Sequence, residues 1–222
     1  MKKMIKAGLL FGLMLLFAGN VWALPMAGDT VQMNTEWGDN YGMKINNSTN
    51  TNTIGDLYNT FCIEKNEIFN NNGIYKVESV GSVATLGGTN YGVWETESTT
   101  GKTGDPLSQE SIWLYASFFN GDFDSLFTGL THQQGVDKVQ NAIWYMEDEI
   151  TSNTDWSLLS NGISDFKVTG WDIKVVNLVA TDGTGNFQSQ LVGAPVPEPA
   201  TIVLFGIGLL GLAGIGRKRI QK

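Results

Sequence analysis

Residues 136–150 read Val-Asp-Lys-Val-Gln-Asn-Ala-Ile-Trp-Tyr-Met-Glu-Asp-Glu-Ile, and this stretch decides the class of fold. Its apolar side chains recur every three or four positions, which is the repeat of one face of an α-helix. They are Val136, Val139, Ile143, Met146 and Ile150. Residues 108–119 have the same repeat, and Gly121, Gly129 and Thr131 separate the two stretches. The sequence therefore predicts a pair of helices in the middle of the chain.

The stretches before and after this helix pair have the patterns of β-strands, with apolar runs or alternation bounded by turn residues. The predicted strands are residues 31–37, 57–64, 74–80, 93–96, 171–180 and 187–192. A polar loop at residues 46–53 and turn sequences at 70–73 and 182–186 lie between them. The predicted fold class is therefore α+β: a strand-dominated domain, like a β-sandwich or a barrel, with an inserted pair of helices.

The N-terminal segment predicts export from the cell. Residues 1–6 carry three lysines, residues 7–18 are an apolar run, and residues 21–23, Val-Trp-Ala, offer a cleavage site. A positive start, an apolar centre and such a site are the three parts of a secretory signal peptide. We therefore predict that residues 1–23 are a signal peptide and that the extracellular domain covers residues 24–195.

The C-terminal segment has a second apolar run, residues 200–216, which carries no charge. At roughly 17 residues it is at the short end of what spans a bilayer. The basic residues 217–219 that follow it favour the cytoplasmic side of a membrane. Pro197, Glu198 and Pro199 precede the run, and the two prolines keep this stretch out of the helix. The pattern predicts a transmembrane helix next to an extended, accessible segment.

This tail resembles the PEP-CTERM sorting signal over residues 196–219, in which Val-Pro-Glu-Pro-Ala-Thr is followed by an apolar run and Arg-Lys-Arg. The resemblance implies recognition by an exosortase, a membrane-embedded cysteine transpeptidase of Gram-negative bacteria that make exopolysaccharide. It also implies that Pro197, Glu198 and Pro199 are recognition residues and that the tail is removed or exchanged. The expected location is the cell envelope, cell surface or extracellular matrix, after transient anchoring in the inner membrane. A plain membrane anchor is the alternative.

The charge of the segment between the two ends excludes some partners. Residues 24–196 hold 21 acidic residues and 7 lysines, with no arginine, which gives a net charge of −14. Nucleic acid needs a basic surface, so it is excluded as a partner, and an anionic membrane surface is excluded for the same reason. Acidic domains of this kind are common among secreted proteins, where the charge keeps the surface solvated.

Two residues of this segment call for a chemical explanation. Cys62 is the only cysteine, and a single thiol is unusual in an exported protein, whose compartment oxidises thiols. Gln140 lies at the edge of the apolar face of residues 136–150 or within it. An unsatisfied buried amide costs about 1–3 kcal/mol. Each feature alone has an ordinary explanation, namely a buried inert thiol and an amide held by a bridging hydrogen bond.

Taken together, the two residues resemble the thioester domains of bacterial surface adhesins. That family has an aromatic-Cys-aliphatic-acid motif and a Thr-Gln-x-Ala-Ile-Trp motif. The matching residues are Phe61, Cys62, Ile63 and Glu64 for the first motif and Gln140, Ala142, Ile143 and Trp144 for the second. The chain departs from the second motif at Val139, where the family usually has threonine. The resemblance covers roughly residues 30–190, and within it only these two motifs are specific.

The resemblance implies that the thiolate of Cys62 attacks the carboxamide of Gln140 and expels ammonia, which leaves an internal thioester. A lysine amine or another nucleophile on a partner or in a matrix then displaces the thiolate and stays bound to Gln140. Aromatic neighbours such as Phe61, Trp144 and Tyr145 are expected to shield the bond from water. Such a capture acts once, so the chain is predicted not to be an enzyme, and no cofactor is expected.

The remaining reactive side chains predict no further chemistry. His132 is the only histidine and lies near the start of the second helix, where a solvated side chain is expected. One cysteine and one histidine do not make a zinc site, and the acidic stretches lack the full spacing of a calcium loop. No metal is therefore predicted. Residues 147–149, Glu-Asp-Glu, are expected to be a solvated helix end.

The predicted function is that of an exported surface or matrix protein that attaches covalently to its partner through a Cys62–Gln140 thioester. The alternative comes from another class. It is a non-covalent structural or glycan-binding protein of an exopolysaccharide or biofilm matrix, in which Cys62 is merely buried.

Overall fold

The computed structural model describes residues 24–35, 41–45, 57–85, 95–96, 101, 103–196, 206 and 208. The strands within these residues are β1 (Thr30–Asn34), β2 (Tyr41–Ile45), β3 (Leu57–Cys62), β4 (Ile74–Gly81), β5 (Val83–Ala84), β6 (Glu95–Thr96), β7 (Thr103–Pro106), β8 (Trp171–Ala180) and β9 (Asn186–Pro195). The helices are α1 (Gln109–Asn120), α2 (His132–Met146) and α3 (Thr154–Leu159). Residues 24–194 form one compact unit, which is the unit described below.

Six of these strands close a barrel in the order β1-β2-β3-β9-β8-β4. β3 pairs with β9 in antiparallel orientation and places Cys62 opposite Gln190. β4 pairs with β8 with a change of register between Val77 and Ser79, which is the mark of a β-bulge. β5, β7 and β6 form a separate three-stranded sheet. The barrel and the few helices confirm the predicted strand-dominated class.

The buried apolar side chains form two cores, one inside the barrel and one between the barrel and the helices. The barrel core consists of Val31, Met33, Met43, Tyr58, Tyr75, Val77, Val176, Leu178 and Val192. The second core includes Phe61 and Leu191 from the strands and Val136, Val139 and Ile143 from α2. Because side chains alternate along a strand, β3 and β9 each supply residues to both cores. These two strands are therefore covered on both faces.

The first helix has the bounds that the sequence predicts to within a residue. Ser108 is its N-cap, and the Ser108 hydroxyl accepts a hydrogen bond from the main-chain N–H of Ser111 at 3.1 Å. Gly121 ends it in the left-handed conformation, with φ at 80°, as glycine often does after the last helical turn.

The second helix differs from the prediction of residues 136–150, because it begins at His132 and ends at Met146. Thr131 forms a capping box with Gln134, and the helix therefore begins with a polar turn. The prediction missed this turn because it relied on the spacing of apolar residues. Asp148 takes the left-handed conformation, with φ at 59°, and the helix therefore stops before Ile150. The short helix α3 was not predicted at all.

The prediction that residues 1–23 form a signal peptide lies outside the described residues, and so do residues 36–37 and 93–94 of the predicted strands. The same holds for most of the predicted transmembrane helix, of which only Gly206 and Gly208 are described. Among the described residues, none of the helices is long and apolar enough to cross a membrane.

Gly193 in β9 lies in close contact with Tyr115 of α1. A Cβ atom at this position would lie 2.5 Å from Cε1 of Tyr115, whose hydroxyl donates to the carbonyl of Asn59 at 2.9 Å. Tyr115 is buried and held at both ends, so its ring has little room to move.

We expect Gly193→Ala to lower the free energy of unfolding by about 1–3 kcal/mol, the usual cost of overpacking a core. Urea denaturation of the variant and the wild type measures the difference. Asn186→Ala, at the exposed first position of the same strand, is the matched control and should change stability little. Equal stability of Gly193→Ala and wild type would contradict the close contact with Tyr115.

Candidate functional site

Cys62 ends strand β3 and is 1% exposed. Its thiol donates a hydrogen bond to Oε1 of Gln188 at 2.9 Å, and Nε2 of Gln190 lies 3.7 Å from the sulfur. Gln188 and Gln190 are buried on β9, the strand that pairs with β3. The thiol is therefore enclosed by carboxamides of the neighbouring strand and not by apolar side chains alone.

The two carboxamides beside the thiol have fixed orientations. The Thr60 hydroxyl donates to Oε1 of Gln190 at 2.8 Å, which turns the NH2 group of Gln190 toward the sulfur of Cys62. Nε2 of Gln188 donates to the main-chain carbonyl of Glu64 at 2.5 Å, which leaves Oε1 of Gln188 to accept from the thiol. The sulfur thus has one acceptor for its proton and one donor that would stabilise a thiolate.

Gln140 reaches the main chain of Cys62 from helix α2. Its Oε1 accepts the N–H of Cys62 at 2.9 Å, and its Nε2 donates to the C=O of Cys62 at 2.7 Å. A neighbouring strand would make the same pair of hydrogen bonds, so the carboxamide stands in for a strand at this point of β3. Gln140 is 4% exposed, and these bonds satisfy an amide that would otherwise be costly to bury.

The structure therefore brings together the two residues that the sequence singled out, although they are 78 positions apart. The contact joins the carboxamide of Gln140 to the main chain of Cys62, while the sulfur of Cys62 is bonded to Gln188. A bond between the sulfur and Gln140 would therefore require the sulfur to leave the carboxamide of Gln188.

Phe61 covers the site on the side of the helices. It is fully buried, and its ring makes edge contacts with three aromatic rings of α1. The distances between ring centroids are 6.1 Å to Tyr115, 5.5 Å to Phe118 and 6.2 Å to Phe119. Such edge-to-face contacts add to the stabilisation from burial, and they keep water away from this end of β3.

The other residues of the second motif belong to the packing of α2. Ala142 and Ile143 are fully buried in the core between the helices and the barrel. Trp144 is partly buried, and Nζ of Lys65 lies 5.9 Å from the centre of its ring. The indole Nε1 of Trp144 is buried, and no described residue accepts a hydrogen bond from it. Trp144 follows Gln140 by one helical turn, so this spare donor is on the neighbouring part of the helix surface.

Glu64 lies two residues after Cys62 and is 2% exposed. Its Oε2 accepts the N–H of Ser189 at 2.9 Å, and no described residue donates to its Oε1. Burial raises the pKa of Glu64 to about 7, although the hydrogen bonds from Ser189 act in the opposite direction. The carboxyl group can therefore hold or release a proton near neutral pH, a short distance along the chain from the thiol.

The acidic residues after α2 correct the sequence prediction of a solvated helix end. Glu147 and Glu149 are buried, and only Asp148 between them is exposed. Oε1 of Glu147 accepts hydrogen bonds from the N–H and the hydroxyl of Ser108, at 3.2 and 2.6 Å. Oε2 of Glu149 accepts the N–H of Lys65 at 3.0 Å. The prediction was wrong because these carboxylates bind main-chain groups of other elements, which a local pattern does not register.

Burial raises the pKa of Glu147 to about 7, against the lowering effect of the hydrogen bonds from Ser108. Burial also raises the pKa of Asp105 to about 6, helped by the negative charges of Asp148 and Glu149. Carboxyl groups that share a region of low polarity favour their neutral forms, so part of the acid excess is not charged near neutral pH.

Sequence reasoning missed Gln188 and Gln190. They alternate with Val192 along β9, and Gln190 lies opposite Cys62. Polar residues in an alternating strand ordinarily face solvent, so nothing in the pattern marked these two as buried. Their position beside the thiol follows only from the pairing of β3 with β9.

His132 is the first residue of α2 and is exposed, as the sequence predicted. Its ring lies 6.1 Å from that of Phe118. Within the part of the chain that the structure describes, there is no group of three His, Cys, Asp or Glu side chains placed to hold a metal ion. The predicted recognition residues Pro197, Glu198 and Pro199 lie outside that part.

Comparison with known families finds the PEP-CTERM protein-sorting motif at residues 195–219. No curated protein and no solved structure matches the chain. The motif identifies the tail as a sorting signal, and it implies an exported protein that an exosortase processes and that is transiently anchored in a membrane. The class of protein is therefore that of the exosortase substrates, and the match covers the tail alone.

Proposed function

We propose that the chain is an exported surface or matrix protein whose Cys62 and Gln140 form an internal thioester for covalent attachment to a partner. The observation that carries the proposal is the pair of hydrogen bonds, 2.9 and 2.7 Å long, between the Gln140 carboxamide and the main chain of Cys62. They hold the carboxamide carbon next to the residue that bears the attacking sulfur. Such placement lowers the activation barrier, because the entropy cost of bringing the two groups together has already been met by folding.

In the first step the sulfur of Cys62 forms a bond to the carboxamide carbon of Gln140, and the bond from that carbon to Nε2 breaks. The thiol proton goes to the departing nitrogen, which leaves as ammonia. Negative charge develops on Oε1 of Gln140, and the N–H of Cys62 already donates to that oxygen at 2.9 Å. The main-chain carbonyl of Cys62, 2.7 Å from Nε2, accepts a hydrogen bond from the leaving group.

In the second step an amine on the partner attacks the same carbon, the carbon–sulfur bond breaks and the proton lost by the amine returns to the sulfur. The partner is then joined to Gln140 through an amide. The NH2 group of Gln190, 3.7 Å from the sulfur, favours the departing thiolate. Each molecule performs this capture once, so the chain is not an enzyme that turns over, and it needs no cofactor.

Burial supports the proposal, because a thioester survives only where water is kept from it. Cys62 is 1% and Gln140 4% exposed, and Phe61 and the rings of α1 close the side of the helices. We place the mature protein on the cell surface or in the extracellular matrix of a Gram-negative bacterium, where the sorted chain meets amine-bearing proteins or matrix components.

The test is the intact mass of the exported chain, purified with its C-terminal tail after removal of the signal peptide. The thioester gives a mass one ammonia below the calculated value, and incubation with methylamine adds one methylamine to that species. A full calculated mass, with Cys62 open to alkylation in the unfolded protein, would sink the proposal.

The alternative is a non-covalent structural or glycan-binding role in a matrix. One observation favours it: both ends of the Gln140 carboxamide are already engaged by the main chain of Cys62, which is what a purely structural bridge between α2 and β3 requires. The same mass measurement separates the two functions, because in a purely structural role Gln140 keeps its amide nitrogen and the chain has its full calculated mass.

A further inference from the structure

A cavity of about 400 Å³ lies where α1 ends and α2 begins. Its walls include the rings of Phe118, Phe119 and Phe127, and its polar groups include Asp124 and His132. The volume is within the range of sites that hold small ligands or single side chains. Neither Cys62 nor Gln140 lines this cavity, so the proposed thioester does not account for it.

The phenylalanine rings of the cavity are held in place by their neighbours. Phe118 and Phe119 contact each other edge to face, with 5.0 Å between centroids and 81° between planes. Phe127 packs on α2 at Gly135, where a Cβ atom would come within 2.8 Å of the ring. The faces of such rings carry partial negative charge and attract cations, while the ring surfaces accept aliphatic chains.

Negative charge also converges on the cavity from the end of α1. The carboxylate of Asp124 lies against Gly121, where a Cβ atom would be 3.1 Å from Oδ2. Gly121 is the C-cap of α1, and the C-terminal end of a helix carries partial negative charge. The last turn of α1 contains no basic residue to neutralise it. The carboxylate of Asp124 and the C-terminal end of α1 therefore both favour the binding of a cation.

Few groups in the cavity oppose the binding of a cation. The N-terminal end of α2 borders the cavity and carries partial positive charge. Its capping box satisfies two donors there: the N–H of Gln134 bonds to the Thr131 hydroxyl, and the N–H of Thr131 bonds to Oε1 of Gln134. No lysine or arginine is among the residues that line the cavity. The exposed imidazole of His132 also lines the cavity.

We propose that this cavity binds an organic ammonium group on an aliphatic stem, in particular a lysine side chain of a partner protein. The rings of Phe118, Phe119 and Phe127 receive the stem, and Asp124 with the end of α1 receives the ammonium. Residues 24–196 hold 21 acidic residues against 7 lysines, and this excess, which stays large when the buried carboxyl groups are neutral, complements a basic partner over a longer range.

The inference deepens the proposed function and rests on it for one point alone, the fate of the bound amine. Phe61, next to Cys62 in the chain, contacts two rings of the cavity wall, with centroid distances of 5.5 Å to Phe118 and 6.2 Å to Phe119. The cavity wall therefore packs against the residue before Cys62, on the side of β3 from which Gln140 approaches, and a lysine-bearing partner held there would lie on that side of the strand before any bond forms.

Calorimetric titration of the exported chain carrying Cys62→Ala tests the cavity without interference from covalent capture. The probe is Nα-acetyllysine amide, and Nα-acetylnorleucine amide is its uncharged match with the same aliphatic stem. We expect the lysine probe to bind about tenfold more tightly, from the combined effect of one ion pair and the ring faces. The difference should shrink as salt is added.

Two variants locate the site. Asp124→Asn should weaken the lysine probe about threefold to fivefold, and Phe127→Leu, which keeps an apolar wall but removes a ring face, should weaken it as well. Asp122→Asn is the matched control, since Asp122 is exposed on the same turn but does not line the cavity. This variant should bind the lysine probe as tightly as the parent protein does.

Three results would overturn the inference. They are equal affinity for the lysine and norleucine probes, no heat of binding with the lysine probe, and binding of glucose without binding of lysine, which would make the cavity a saccharide site. Because all three are measured without the thiol, they are independent of the mass measurement, and either proposal can fail while the other stands.

Discussion

If the proposed thioester forms, we expect Cys62→Ala to abolish both the loss of ammonia and the addition of methylamine in the exported chain, so that its mass equals the calculated value. The effect is all or none, because the chain contains one cysteine and no other thiol can replace its sulfur. Alanine keeps the N–H and the C=O of position 62, which are the groups that Gln140 binds. The variant should therefore fold, and its intact mass with and without methylamine gives the result.

Gln140→Ala should abolish the same reaction for a different reason, the loss of the acyl group. It also leaves the N–H and C=O of Cys62 without the carboxamide, and a buried main-chain group without a partner costs about 1–3 kcal/mol. We therefore expect this variant to be less stable than Cys62→Ala. Gln133→Ala, at an exposed position of the same helix, is the control and should react like the wild type.

Gln188 supplies the sharpest contrary outcome, because its carboxamide is the one that the sulfur contacts. If Gln188→Ala stopped the loss of ammonia while Gln140→Ala allowed it, the acyl group would belong to Gln188. The assignment of Gln140 as the residue that joins the partner would then be wrong, although thioester chemistry at Cys62 would remain.

The second large effect concerns pH. Burial raises the pKa of Glu147 from 4.5 to about 7, so the folded chain binds this proton more tightly than the unfolded chain does. The stabilisation that this proton gives the folded chain is fully present below the pKa of Glu147 in the unfolded chain. It is lost as the pH rises through the pKa of Glu147 in the folded chain. Between about pH 5 and about pH 8, Glu147 alone should lower the free energy of unfolding by about 2 kcal/mol.

Glu147→Gln is the variant that isolates this contribution. Its amide oxygen can still accept the hydrogen bonds that Ser108 makes to Oε1 at 3.2 and 2.6 Å, but the side chain no longer titrates. Urea denaturation at both pH values should show a smaller loss of stability in the variant, with Glu64 and Asp105 accounting for what remains. Identical pH dependence in the two proteins would refute the assignment to Glu147.

The sequence predicts those parts of the fold that local periodicity encodes. The bounds of α1, the strands around residues 74–80 and 171–180, and the turn at residues 182–186 all follow from spacing and turn residues. The resemblance of two short motifs pointed to Cys62 and Gln140, and the structure joins the Gln140 carboxamide to the main chain of Cys62, while the thioester itself stays a prediction. The sorting tail was recognised from Pro197-Glu198-Pro199 and its flanks, and the family comparison confirms it.

The remainder depends on contacts between distant segments, which no local pattern carries. Gln188 becomes a neighbour of the thiol only because β9 pairs with β3. Glu147 is buried because Ser108, which is 39 residues away, supplies its hydrogen bonds. The barrel likewise closes through β1 and β4, and that pairing sets which face of each strand turns inward.

The place of β9 in the barrel has a mechanical consequence. β9 lies between β3 and β8, and the chain continues from its last residue, Pro195, into the sorting tail. Tension on that end runs along the strand, so the hydrogen bonds to both neighbours are loaded together in shear and do not open one after another from an edge. If the proposed thioester captures a partner, that partner pulls on Gln140, whose carboxamide is hydrogen-bonded to the main chain of β3. The force between partner and cell would then pass through the hydrogen bonds that β9 makes to its neighbours in the closed barrel. An attachment built in this way would resist mechanical rupture.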